Sequence, residues 1–298
     1  MSKLAEWVME KQSNAIMSIA FLSILPFVFL VAGILLALVV LRKGFSNSIP
    51  VLTLGCLPSL AVWFLWGDIA VFLILLQVIA LSCILRETVS WGKTLIVAML
   101  FAIVGVYLLP LLMSDTLYSV LESVRSFLEQ LKGNNVQGAL NQFDIADMSD
   151  EYLFRYLVVS TAVTHMVLSV ICLFFGRLLQ SRLYNPNGLR EEMWQLKLPA
   201  VMVLFITAMR VLGETSGEQL QFLAFIVGPI ILMVGIALIH GICAKLKNGK
   251  VWLIAFYIVG LVMFGVYIIN ILLILIIIDS FINIRNRIPT AKSDFNES

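Results

Sequence analysis

The chain reads as long apolar runs separated by short polar connectors. Residues 261–278 hold no charge and one strongly polar side chain, Asn270. A run like that belongs in lipid. Comparable runs occupy residues 15–41, 49–66, 69–85, 94–112, 157–175, 200–212 and 222–243, and the last one extends over 251–284. Each predicts a membrane helix, because a helix satisfies its own backbone groups inside hydrocarbon. Pro26 and Gly33 interrupt the first run, Pro58 bends the second and Gly228-Pro229 kinks the seventh. Only Gly67-Asp68 separates the second run from the third, which predicts a tight helical hairpin. The 200–212 run is too short to cross unaided at about 1.5 Å per residue, so its ends are extended or it is re-entrant. The final stretch has length for roughly two spans and divides into two short helices near Gly265.

Three segments have a different pattern. Residues 1–14 place Leu4, Trp7, Val8 and Met9 among Lys3, Glu6, Glu10 and Lys11, the pattern of an interfacial amphipathic helix. Within the acidic excursion 113–156, Leu117, Val120, Leu121, Val124, Phe127, Leu128 and Leu131 recur at helical spacing up to a stop at Gly133. A second, weaker helix is expected over 136–143, before the acidic stretch 144–151. The 176–199 loop is basic, with Arg177, Arg182, Arg190 and Lys197 around the turn signal Tyr184-Asn185-Pro186-Asn187-Gly188.

The predicted fold is therefore all-α: a polytopic transmembrane bundle of about eight to nine segments with an extracytoplasmic amphipathic insertion. Residues 15–112 and 157–284 supply its two sets of membrane helices, and 285–298 form a cytoplasmic tail. Composition agrees. Hydrophobic residues make up 61% of the chain and charged ones 13%, with a mean hydropathy of +1.01, which excludes an ordinary soluble domain. A net charge of +2 gives no footprint for nucleic acid. Its distribution is more informative. Basic connectors (42–48, 86–93, 176–199, 244–250) alternate with acidic ones (67–68, 113–156, 213–220), so the basic loops are read as cytoplasmic. The count is about nine crossings with the N-terminus outside, or about eight if the first segment is re-entrant. There is no cleavable leader pattern. The expected location is a membrane, with the lipid bilayer as the first partner.

No HExxH, GxSxG or GxxxxGK[ST] motif and no paired intramembrane aspartates occur, so the chain reads as neither an enzyme nor a cofactor protein. A serine beside His165 (Ser160 or Ser169) is too common a helical pair to count as a nucleophile and base. Cys56, Cys83, Cys172 and Cys243 lie in separate apolar runs and read as buried apolar residues, with no metal or disulfide role. Ionisable groups at membrane depth mark pathways by default. Asp279 follows eight apolar residues; it either lines an ion or ligand pathway or forms a helix-end charge pair, with a cationic loop or with Asn283 and Arg285 as its partners. Thr161 and His165 share a helix face with Thr164 beside them, and they form either a polar cavity or an interhelical hydrogen bond. His240, near a helix end, reads as interfacial. Arg210 and Glu214 form a surface pair or gate a vestibule. Asn270 and Gln77 are candidates for helix–helix hydrogen bonds. In the loop, Arg177, Arg182, Tyr184, Asn185 and Arg190 either anchor to anionic lipid or dock a protein partner. Two functions follow: a small-molecule transport or binding component, or an assembly protein that docks a membrane or cytoplasmic partner through 176–199.

The run from Phe175-Gly176-Arg177 through Leu183-Tyr184-Asn185-Pro186-Asn187-Gly188-Leu189-Arg190-Glu191-Glu192, with its exit Leu196-Lys197-Leu198-Pro199, resembles a signature of the proteobacterial branch of the YybS-like family. Members of that family are uncharacterised bacterial polytopic membrane proteins. Residues 37–44 resemble the end of the family's first helix, and Asp279-Ser280-Phe281-Ile282-Asn283-Ile284-Arg285 its terminal element. Asn187, Leu189 and Met193 depart from the pattern. The family is distantly similar to substrate-binding components of energy-coupling-factor transporters. That resemblance implies a small molecule held between helices and a small-residue face that docks on a shared membrane subunit. The matching faces here are Gly33-x3-Ala37 and Ala98-x3-Ala102, a spacing that ordinary helix packing also uses.

Overall fold

The computed structural model describes residues 2–25, 27–133, 149–217, 220–263 and 265–288. The helix expected at 136–143, most of the acidic stretch after it, Pro26 and the tail beyond 288 lie outside them. Among the described residues every regular element is helical. In chain order these are α1 (Ser2–Glu10), α2 (Gln12–Ile24), α3 (Phe29–Lys43), α4 (Phe45–Trp66), α5 (Ala70–Thr88), α6 (Trp91–Leu112), α7 (Ser114–Gly133) and α8 (Asp150–Tyr184). They continue with α9 (Gly188–Gln195), α10 (Ala200–Thr215), α11 (Gln221–Cys243) and α12 (Gly249–Ala255). A π-helical stretch (Phe256–Met263) and a 3₁₀ turn (Gly265–Tyr267) follow, then α13 (Ile268–Ile282) and α14 (Ile284–Arg287). Among the described residues five helices are long and apolar enough to cross a bilayer: α4, α5, α6, α8 and α11. The bent pair α9–α10 makes six if it counts as one span. The chain divides into two compact units, 1–83 with 100–179 and 84–99 with 180–298.

In the first unit the first apolar run is not one helix. The residue before a proline is biased away from helix, and Leu25 is extended, with Phe27 at φ 62°. The chain restarts as α3, and α2 packs against both α3 and α4. Ala15 and Ile19 are fully buried there with Leu35, Leu36, Val39 and Val51. The helix expected over 1–14 also divides, at the extended Lys11 (φ −134°, ψ 144°). It is more than an interfacial strip: Val8 belongs to that same core while Trp7 stays exposed. Gly67, left-handed at φ 75°, closes α4, and Asp68 Oδ1 accepts the Ala70 N–H at 2.9 Å, forming the expected turn. A second cluster joins Ile69, Leu109, Met113, Leu117, Val158 and Ala162, so one edge of the α7 stripe is buried.

The fifth apolar run was expected to end at 175, with a loop from Gly176. Instead α8 runs 35 residues to Tyr184, about 52 Å at the helical rise, well past a hydrocarbon core of about 30 Å. Gly176 is a packing position: a Cβ there would come within 2.5 Å of the Ala37 Cβ. A Cβ at Gly33 would likewise meet Cys172 Sγ at 2.7 Å. The Gly33/Ala37 face is therefore used inside this chain, against α8.

In the second unit α10, α11 and α13 pack against one another pairwise. Gly213 lies against Ala224 at one end, and Trp194, Gly241 and Arg285 meet at the other. Thus α10 and α13 run in opposite directions, and residues 249–267 carry the chain from the Gly241 end back to the start of α13. The break falls at Gly265, φ 45°, as its position in the apolar run suggested.

Candidate functional site

Asn283 is in the left-handed region (φ 55°) and its N–H caps the Asp279 carbonyl at 2.9 Å. Asparagine tolerates that conformation, and the reversal turns Arg285 back against α13. Arg285 Nη1 donates to the Trp194 carbonyl at 2.7 Å. Its Nη2 donates to the Leu196 carbonyl at 2.6 Å and to Asp279 Oδ2 at 2.9 Å. Both charged residues are buried, Asp279 at 3% exposure and Arg285 at 6%. Lys245 Nζ donates to the Arg285 carbonyl at 2.5 Å. Gly241 makes the approach fit, since a Cβ there would stand 3.0 Å from the Trp194 oxygen and 3.1 Å from Arg285 Cδ.

The segment around Trp194–Leu196 and the 279–285 element therefore meet at one guanidinium. The fork of Arg285 ties the non-helical exit after α9 to the end of α13. One further contact holds α9, Trp91 Nε1 donating to Glu192 Oε2 at 3.0 Å, and within the helix the Arg190 guanidinium lies 4.2 Å from the Trp194 ring centre. The turn before α9 has its own support. Asn187 adopts φ 71°, and Ser181 Oγ donates to the Asn185 carbonyl at 2.8 Å. Arg182, Tyr184, Asn185 and Arg190 are exposed on this loop, and Arg177 is half-buried one unit away in the chain division.

At the opposite end of α10, α11 and α13 lies a second polar cluster. Arg210 Nη2 pairs with Glu214 Oε1 at 2.5 Å and reaches Asn270 Oδ1 at 3.3 Å, while Nη1 donates to the Ala224 carbonyl at 3.4 Å. This corrects the exposed surface pair considered from sequence: the Arg210 side chain is only 13% exposed and bridges three helices. A helical spacing of four announces the Glu214 contact; the Asn270 contact has no local signal.

The first unit holds the remaining candidates. His165 is buried and Thr161 half-buried, but Thr164 is exposed, so the three do not converge on one interior face. One turn on, Ser169 Oγ donates to Gln77 Oε1 at 3.1 Å, giving Gln77 the interhelical bond expected of it. In the second unit His240 Nε2 lies 2.8 Å from the Tyr257 hydroxyl. None of the four cysteines forms a disulfide, and among the described residues no three His, Cys, Asp or Glu side chains gather as a metal site.

Apolar helices of spanning length with charged side chains buried between them define a multi-pass helical membrane protein. Compared with known protein families, characterised proteins and solved structures, the chain matches none.

Proposed function

We propose that this chain is a small-molecule transport or substrate-binding component of a bacterial inner membrane, with α10, α11 and α13 as its moving part. One observation carries the reading: the same three helices are pinned by a charge cluster at each end, Arg210–Glu214–Asn270 and Asp279–Arg285–Lys245. Buried intramembrane charges are costly, and they are typical of pathways and gates. Asn270 and Asp279 lie about 14 Å apart along α13 at the helical rise, a separation that suits the two ends of one pathway. The 69° bend between α9 and α10 and the π-helical stretch 256–263 fit the broken helices that transporters place around their sites.

The finer topology belongs to this reading. Lys197, Lys245 and Arg285 gather at one end of the unit, which we assign to the cytoplasm, with 113–156 outside. The packing of α2 along α3 supports the re-entrant version of the first apolar run, which gives about eight crossings with both termini inside. We further read the chain as a member of the YybS-like family on the 175–199 and 279–285 segments. Docking through the Gly33/Ala37 face, in the manner of energy-coupling-factor components, is disfavoured because α8 already covers that face.

A second reading is supported by the Arg285 tie itself. It fixes the backbone at Trp194 and Leu196, just beyond the exposed 182–190 segment, which suits a docking element for a protein partner. Native mass spectrometry of the gently extracted protein separates the two. A retained small molecule, lost on Asp279→Asn or Arg210→Gln, supports transport or binding. A retained protein, lost on Arg182→Ala or Tyr184→Ala with no small molecule, replaces that reading with the docking one.

A further inference from the structure

We infer that the pocket between Asp279 and Ser280 binds a single water molecule. Arg285 engages only one carboxylate oxygen of Asp279. The other, Oδ1, is buried with no hydrogen-bond partner, and so is the neighbouring Ser280 Oγ. Helical serines and threonines elsewhere in the chain donate back to the carbonyl one turn earlier, as Ser48, Ser82, Thr94 and Thr207 do at 2.6–2.9 Å. Ser280 does not. Asp279 and Ser280 line a cavity of about 10 Å³ together with Lys197, Val234, Leu238, Ile276 and Arg285. That volume is about what one water needs, and a buried water requires at least two polar partners. A water there donates to Oδ1 and accepts from the serine hydroxyl, satisfying both orphans at once. Charge and ligand count exclude the alternatives. Lys197 and Arg285 flank the carboxylate, and a hard cation gathers about six or more oxygens where this site offers two. An anion would face an unpaired carboxylate oxygen. The inference goes beyond the transport reading and does not depend on it.

The test is X-ray hydroxyl-radical labelling of the full-length protein in nanodiscs, read by peptide mass spectrometry. Radicals generated from a bound water mark the side chains beside it even in a dry core. Leu238 and Ile231 lie on the same helix and are each 1% exposed, but only Leu238 lines the cavity. Leu238 and Ile276 are expected to label several-fold faster than Ile231 and Leu272, and Ser280→Val, which fills the space, to abolish the difference. Equal rates in the wild type overturn the inference, whatever the variant does. A melting temperature that rises in sodium chloride relative to choline chloride also overturns it, by making the occupant a cation.

Discussion

Arg285 and Asp279 face each other 2.9 Å apart across the left-handed turn at Asn283, both buried in apolar surroundings. Bringing two such charges out of water costs more than their attraction usually returns. What the pair supplies is specificity. Arg285 also holds the Trp194 and Leu196 carbonyls, so one side chain selects a single arrangement of the α9–α10 connector against α11 and α13.

Replacing Arg285 with methionine leaves Asp279 buried and uncompensated and two carbonyls without their donor. The expected loss is about 3–5 kcal/mol. Lysine does not rescue it, because an ammonium cannot reproduce the planar fork. The double variant Arg285→Met/Asp279→Leu should lose much less than Arg285→Met alone. Thermal or steric-trap unfolding in detergent measures all three, and equal losses for the single and double variants would falsify the pairing argument.

Asn270→Leu removes an acceptor from Arg210, whose Nε is already buried without a partner. The coupling should lie near the interhelical average of about 0.6 kcal/mol, at most about 1.7. Glu214→Gln should matter less, since Glu214 is 44% exposed and its charge is well hydrated. A double-mutant cycle between Arg210 and Asn270 checks this; zero coupling would mean that the 3.3 Å contact contributes nothing.

How far these features were legible differs by cause. The turn at Gly67-Asp68 and the break near Gly265 were readable because glycine marks backbone reversals locally. In the first apolar run Pro26 announced a break, but hydropathy cannot tell a kinked span from the two short helices α2 and α3 packed together. Gly176 misled for a related reason: beside arginines it looked like a loop start, whereas its role is to admit Ala37 from a distant helix. Asp279 and Arg285 were legible as a pair. Their wider site was not, because the groups that Arg285 ties together at 194 and 196 are carbonyls, which every residue has.

Gly176 gives a direct test of the α3–α8 approach. Gly176→Val should destabilise by about 1–3 kcal/mol through overpacking against Ala37. Gly228→Ala is the control, since its nearest neighbour is the flexible Ile269 Cδ1 at 3.9 Å; it should stay within about 0.5 kcal/mol of the wild type. Melting curves of the two variants suffice, and a Gly176→Val protein as stable as Gly228→Ala would mean the helices do not approach so closely.

Topology can be read by cysteine labelling, because Cys56, Cys172 and Cys243 are buried and Cys83 half-buried, so native thiols should give little background. Val89 and Asp115 are exposed at the two ends of α6, a 22-residue apolar helix. Val89→Cys should react with a membrane-impermeant maleimide only in inverted vesicles, and Asp115→Cys only in intact cells. Labelling of both from one side would remove α6 as a span. Lys3, exposed on α1, then decides the terminus. If α2 and α3 form a re-entrant pair, Lys3→Cys labels with Val89→Cys, and the chain crosses about eight times. If the first run is a full span, Lys3→Cys labels with Asp115→Cys, the count returns to about nine, and the packing of α2 on α3 must be that of two helices within one kinked crossing.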